Sequence, residues 1–477
     1  MAPRRPKGMA AFTIIWSGQL VSMLGSTMTG FALSLWAWEM TGQATALALV
    51  MFCSFAPMMI MTPVAGALVD RWNLKTSMIL SDLTAGMGTV ATLALYWTGN
   101  LQIWHLYILA AFIGTFAAFQ WPAWGAAVST LVDKKHYART SGMMAAAESA
   151  SGIFGPPIAV LFILMFSYSG VFVFDILTFC FAIGTLLAVT VPQPEKSADL
   201  GKGVRGVLKD SLYGFKFIRE RKPLLSLQMS FFVINMIAAP VMILMTPMVL
   251  ARTASDGVVL ATVQAAMSAG GVIGGIVLAV WGGPKKRIYG LLVSDFFLGL
   301  GITLTLGLGR GIVVWTAGGF LTMLFLPIGN GSSQAIWQSK VPPNKQGRVF
   351  AARRLIAQAS MAIAMILAGP LADGYFEPSM AEGGSLVSTF GGLVGSGPGA
   401  GMALMIFFCG LAATLAVPIF YLMPSVRNVE TLVPDFDAAN AVSLHEQGGR
   451  LATEDHPTEK RNPEEEKANK GAAGGLP

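Results

Sequence analysis

The chain has 477 residues, of which 54% are hydrophobic and only 12% charged, whereas soluble domains carry roughly 25% charged residues. At half that density a chain of this length cannot clothe a water-facing surface, which excludes an ordinary soluble enzyme, and the apolar content excludes disorder over most of its length. The formal net charge is +7, but residues 1–425 hold 26 Lys and Arg against 15 Asp and Glu, and residues 426–477 hold 6 against 10, so the basic excess belongs to the apolar body.

In chain order, the stretches 10–38, 40–69, 223–251, 257–284 and 311–339 contain no Asp, Glu, Lys or Arg. Each exceeds the roughly 20 apolar residues that cross a bilayer. The first is too long for a cleavable signal and reads as a retained helix. The uncharged stretch 83–132 is too long for one crossing, and Tyr96-Trp97-Thr98-Gly99-Asn100 supplies a turn with interfacial aromatics. The predicted helices are 10–38, 44–69, 76–97, 102–130, 138–166, 169–191, 223–251, 257–282, 288–309, 311–338, 346–372 and 402–424. The expectation is an all-α membrane protein with twelve transmembrane helices in two six-helix bundles.

With the N-terminus in the cytoplasm, 30 of the 32 Lys and Arg fall on the cytoplasmic side, and only Arg252 and Arg310 fall outside. This asymmetry predicts a multi-pass membrane protein with both termini cytoplasmic; the membrane expected is a bacterial inner membrane. It also disposes of nucleic acid as a partner, because the basic residues mark sidedness rather than a docking face.

Residues 193–222 break the apolar pattern with an amphipathic spacing that suits a helix on the membrane surface. The predicted units are an N-terminal bundle (1–192), a cytoplasmic linker (193–222), a C-terminal bundle (223–425) and a disordered polar tail (426–477). The two bundles resemble each other. Gly66 and Gly275, Trp72 and Trp281, and Arg139 and Arg348 each stand 209 residues apart, the pattern of a parallel duplication. Each match alone is cheap, because glycine is common in membrane helices.

Cys53, Cys180 and Cys409 lie apart in apolar runs and read as buried hydrophobes, not a disulfide framework or zinc site. No phosphate loop, dinucleotide fingerprint or nucleophile elbow occurs, so neither an enzyme nor a cofactor is implied.

The loop Gly66-Ala-Leu-Val-Asp70-Arg71-Trp72-Asn73-Leu74-Lys75 resembles the signature of the major facilitator superfamily, Gly-x-x-x-Asp-Arg-x-Gly-x-Arg/Lys-Arg/Lys. It departs at Asn73, expected to tolerate a left-handed turn, and at Thr76. Trp16-x-x-Gln19-x-x-Ser22-x-x-Gly25, Trp281-Gly282-Gly283 and Gly347-Arg348-Val349-Phe350 with Arg353 look like its macrolide-efflux and siderophore-exporter-like branch. The resemblance implies the major facilitator fold and a conformational latch of Gly66, Asp70, Arg71 and Lys75 against Gly347 and Arg348. Physically, a carboxylate near the helix start at Pro342-Pro343 would meet unpaired N–H groups; a solvated loop aspartate is the plainer reading.

Five acids lie within or beside the spans, where an uncompensated charge is costly: Glu39, Asp82, Glu148, Asp175 and Asp295. Asp82 and Asp295 share the context Ser-Asp and are shallow, which suggests cytoplasmic ion pairs with Arg139, Arg353 or Arg354. Glu148 and Asp175 are candidates for carrying a proton, against the alternative of helix–helix hydrogen bonds. Ser22, Met23, Ser26, Gln120, Trp124, Asn235, Asn330 and Gln334 lie on helices that line the central cavity in the family. They are substrate-cavity candidates there, or ordinary interhelical bonds. The resemblance implies a monomeric secondary transporter whose partners are the lipid bilayer, protons and a small-molecule substrate, working by proton-coupled efflux of amphipathic molecules such as macrolide-like drugs or siderophores. Uptake of a metabolite, or a receptor or scramblase on the same fold, are the alternatives.

Overall fold

In hydrocarbon every backbone N–H and C=O needs an internal partner, so the apolar runs fold as helices throughout. The computed structural model describes residues 8–69, 72–133, 136–193 and 213–436, excepting the side chains of residues 63, 66, 67, 138, 343, 344 and 347. Its main helices are α1 (Gly8–Thr41), α2 (Ala44–Val69), α3 (Leu74–Trp97), α4 (Ile103–Ala117), α5 (Gln120–Leu131), α6 (Tyr137–Ala188), α7 (Lys222–Arg252), α8 (Gly257–Trp281), α9 (Arg287–Gly301), α10 (Ile312–Lys340), α11 (Pro343–Leu371) and α12 (Ala400–Leu422). Helices α9 and α11 run on into π-helical turns, Ile302–Gly307 and Ala372–Phe376.

Among the described residues, eleven helical segments are long and apolar enough to cross a membrane, one fewer than expected. Helices α4 and α5 form one of these, Ile103–Leu131. The difference arises in α6, 52 residues long, whose Ser167 has φ 59° and ψ −174°. The rings of Phe162 and Phe174 lie 5.0 Å apart, where a straight helix would separate residues twelve apart by about 18 Å. The chain therefore reverses at Ser167, and the two arms of α6 run side by side.

The helix ends sort by charge. Lys75, Lys222, Lys285, Lys286, Arg287, Lys340, Lys345 and Arg348 gather with the start of α1 at what we call the basic end, while Arg252 and Arg310 lie at the opposite end. Leu164, Val280 and Leu422 are 75%, 83% and 72% exposed; such a coat of large apolar side chains fits lipid, not water. The cysteines follow suit: Cys53 and Cys409 are half-buried and Cys180 is exposed, so none is the fully buried hydrophobe expected.

Packing repeats between the halves: α2 lies on α4 as α8 lies on α10, and α1 on α6 as α7 on α11. The close crossings depend on glycine, which lets backbones approach where lipid supplies no hydrophobic drive. A Cβ on Gly114 would strike the backbone of Ser54, and one on Gly270 or Gly274 the carbonyls of Phe320 or Leu324. Gly274→Leu is expected to cost about 1–3 kcal/mol, read as a lower melting temperature in detergent.

Three buried clusters divide the interior. One belongs to the N-terminal half at the basic end, with Phe12, Leu74 and Trp124. A second belongs to the C-terminal half at the basic end, with Leu227, Trp337 and Val349. The third occupies the opposite end and runs through both halves, from Phe31, Leu35 and Phe172 to Met248, Leu260 and Met365. The halves thus share one core at the opposite end and keep separate cores at the basic end.

Two boundaries differ from expectation. The predicted linker lies mostly outside the described residues, and its described part is helical over 213–220. The polar tail begins later than 426, because Val426, Val429 and Val433 are buried against α7, α9 and α10. Lys340, the last residue of α10, donates to the Glu430 carbonyl at 2.6 Å and pairs with Asp435 at 2.8 Å. The Lys340 hydrogen bond holds the Asp435 carboxyl below its ordinary value. Stabilisation from such a depressed group is present above the unfolded value and lost as pH falls through the folded one. Asp435→Asn should therefore lower the melting temperature at pH 7, with the difference from the native chain closing in acid.

Candidate functional site

The acids fall into distinct settings. Asp82, on α3, accepts from Gln19 Nε2 at 2.9 Å and from Gln120 Nε2 at 3.1 Å, and Gln120 Nε2 also lies 3.1 Å from Gln19 Oε1. Two amides, not an arginine, satisfy this carboxylate. Asp175, on the second arm of α6, accepts from Thr29 and Thr89 hydroxyls at 2.9 Å each, which ties α1, α3 and α6 together. Glu39 accepts from the Tyr168 hydroxyl at 2.7 Å.

Glu148 and Asp295 differ from these. Glu148 is exposed on the first arm of α6 and lines a cavity of about 400 Å³ with Trp121, Trp124 and Tyr137. Asp295 is half-buried on α9 and lines a cavity of about 270 Å³ in the C-terminal half. Its expected partner Arg353 is engaged elsewhere: it donates to Gln334 Oε1 at 2.8 Å and Ser333 Oγ at 2.6 Å, and lies over Trp337. Arg139 and Arg354 are exposed.

The substrate-cavity candidates separate by half. Ser22, Met23, Ser26, Gln120 and Trp124 line a cavity of about 410 Å³ that also holds Asp82. This cavity and that of Glu148 share Trp121, Trp124 and Met144. Asn235 and Asn330 line the Asp295 cavity, and Gln334 lines a further cavity of about 570 Å³ that shares Phe231 and Asn330 with it. Gln19, which the sequence reading left out of this set, belongs to it; its place four residues before Met23, one helical turn away, was the signal.

Of the latch candidates, Asp70 and Arg71 lie outside the described residues, and Gly66 and Gly347 are placed only as helix positions in α2 and α11. Lys75 donates to the Leu187 and Val189 carbonyls at 3.2 and 2.9 Å, capping the end of α6, where a cation meets the negative end of the helix dipole. Asn73 is extended, with φ −70°, and accepts from Thr76 N as an N-cap of α3, so the left-handed turn expected there does not occur. Arg348 is exposed, with its guanidinium over the Tyr213 ring.

A junction that sequence reasoning missed closes the opposite end. Helix α2 starts at Ala44 behind Gln43, which is no capping residue. Asp373, just past the end of α11, supplies the cap from the other half. Its two oxygens accept from Ala44 N at 3.1 Å and Thr45 N at 2.7 Å. Beside it, a Cβ on Gly369 would strike the Thr45 backbone, so the halves touch closely here.

Helices without a described strand, lipid-facing apolar surfaces, and duplicated bundles around interior cavities define a multi-pass membrane protein. The family model for the Major Facilitator Superfamily matches residues 15–365, and the chain belongs to that family. It is 27% identical over 368 residues to macrolide efflux protein A of Streptococcus pyogenes, covering 76% of this chain and 89% of that protein. It is 24% identical over 374 residues to the multidrug efflux pump Tap of Mycolicibacterium fortuitum, covering 76% and 88%. The structure of a bacterial homologue of the human lysosomal transporter Spinster superposes with a TM-score of 0.65 at 11% identity, covering 90% of this chain and all of that one.

Proposed function

We propose that this chain is a secondary active exporter of a bacterial inner membrane, which moves amphipathic small molecules such as macrolide-like drugs outward in exchange for protons. The observation that carries this reading is the division of the cores. Halves joined at one end only, with cavities on their inner faces, suit two bundles that rock about a midplane site. The efflux relatives supply the direction. With the basic end cytoplasmic, as the positive-inside rule requires, the cavities face the interior of the cell, where an exporter collects its cargo.

Glu148 takes the role of proton carrier in this reading. It reaches into a cavity, whereas Asp175 is held by two threonine hydroxyls. The lipid bilayer, protons and the cargo are the partners, and one chain suffices because it holds both halves. Inverted vesicles containing the protein should accumulate a macrolide when the lumen is acidified. Accumulation in right-side-out vesicles instead would mean uptake, and labelled-lipid exchange without a gradient would mean a scramblase.

A further inference from the structure

The duplication allows the two halves to be compared residue by residue. Asp82 stands eight residues after the start of α3 and Asp295 eight residues after the start of α9. Gln19 has its counterpart 209 residues on in Gln228, and Gln120 its counterpart 210 residues on in Asn330. In the N-terminal half these residues form a closed set in which both amides serve the carboxylate. In the C-terminal half the set is broken. Gln228 donates instead to the Arg353 carbonyl at 3.4 Å. Asn330 is one methylene shorter than Gln120. No hydrogen bond or ion pair engages Asp295 among the described residues.

The cavity in front of Asp295 has the makings of a binding site. Its walls include Phe231, Met242, Leu298 and Met361, and Asp295 is the only ionisable residue among them. Two wall hydroxyls, Ser294 and Thr322, are buried with no hydrogen-bond partner. A native interior seldom leaves such groups idle. A carboxylate in a mostly apolar wall calls for an opposite charge, and none pairs with it among the described residues. The nearest cations of the adjoining cavity are Arg353, bound to Gln334 and Ser333, and Arg354, exposed.

We propose that the Asp295 cavity binds the cationic group of an amphipathic organic cation, with the carboxylate as counter-charge, Ser294 and Thr322 as polar neighbours and the methionine-rich wall around the apolar body. Methionine and phenylalanine adapt to varied shapes, so charge, rather than outline, is the property selected. The inference rests on the export reading and names the charge class of its cargo. Asp82, already satisfied by two amides, has no such role: one acid of the repeat went to structure and the other to ligand.

The test uses the full-length protein in detergent, with tetraphenylphosphonium as the cation and triphenylphosphine oxide as its neutral comparator, in equilibrium dialysis. Asp295→Asn should weaken binding of the cation about 30-fold or more and shift the neutral compound by less than about threefold, a difference too small to represent a lost charge contact. Asp295→Glu, which keeps the charge, should restore most of the cation's affinity. Acid should weaken cation binding to the native protein, since protons compete for the same oxygens, and have little effect on Asp295→Asn. Unchanged cation binding in Asp295→Asn, or equal loss of both compounds, overturns the proposal. Binding is read without transport. A protein that binds the cation through Asp295 yet moves nothing in vesicles therefore defeats the export reading alone. Export of neutral compounds by a protein with no cation site defeats this inference alone.

Discussion

Asp373→Ala is expected to open the end that the structure shows closed. The variant leaves Ala44 N and Thr45 N without their acceptor, at a junction where the two halves pack backbone against backbone. A charged cap on a helix N-terminus contributes about 1–2 kcal/mol. Because the cap and the helix belong to different halves, that energy acts on the contact between halves and not on either fold. Its loss should move the balance toward the state open at this end by about 5- to 30-fold. Distance labels on Gln43 and Glu382, both exposed, in a chain freed of native cysteines should show a second, longer population. An unchanged distance distribution would mean that the shared core alone sets the closure. Asp373→Asn keeps one acceptor oxygen and should fall between.

The expected latch at the basic end rests on an aspartate at the end of α2 facing the start of α11. The observed junction at the opposite end has an aspartate past the end of α11 facing the start of α2. The observed cap and the expected latch thus involve the same two helices at opposite ends. In the proposed alternation between two states, closing one of these contacts would separate the other.

How much of this was legible in the sequence depends on distance along the chain. The reversal at Ser167 falls between the predicted helices 138–166 and 169–191, each of a length that crosses a bilayer once. Helix depth was equally plain: Asp82 and Asp295 were placed a few residues inside their spans. Azimuth was not, because hydropathy in a helix surrounded by lipid and protein has little period. The sequence therefore offered arginines as partners for both acids, where Asp82 takes two glutamines and Arg353 takes Gln334 and Ser333. The Asp373 cap joins residues 329 apart in the chain and has no local signature beyond an uncapped helix start. The folding of Val426, Val429 and Val433 onto the bundle was hidden by the charges around them, which lower the average that a window reads.

Glu148→Gln should separate coupling from carriage. The side chain lies nine residues beyond Arg139, about 13 Å along the helix, on the arm of α6 that packs against α8 of the other half. A Cβ on Gly152, one turn further, would crowd Ser268 of α8, so this acid sits beside a close contact between the halves. It has no hydrogen-bond partner among the described residues, as the proposed role of taking and releasing a proton requires. A glutamine fills the same space but holds no exchangeable charge. Accumulation of cargo driven by an acid lumen should fall to the level of empty vesicles, while exchange of labelled for unlabelled cargo across the membrane, which needs no net proton movement, should persist. Gradient-driven accumulation at the native rate in Glu148→Gln would remove this residue from coupling. Loss of both activities would point to a structural contact in place of a proton site, and binding of cargo by the solubilised variant would tell whether the cavity had kept its shape.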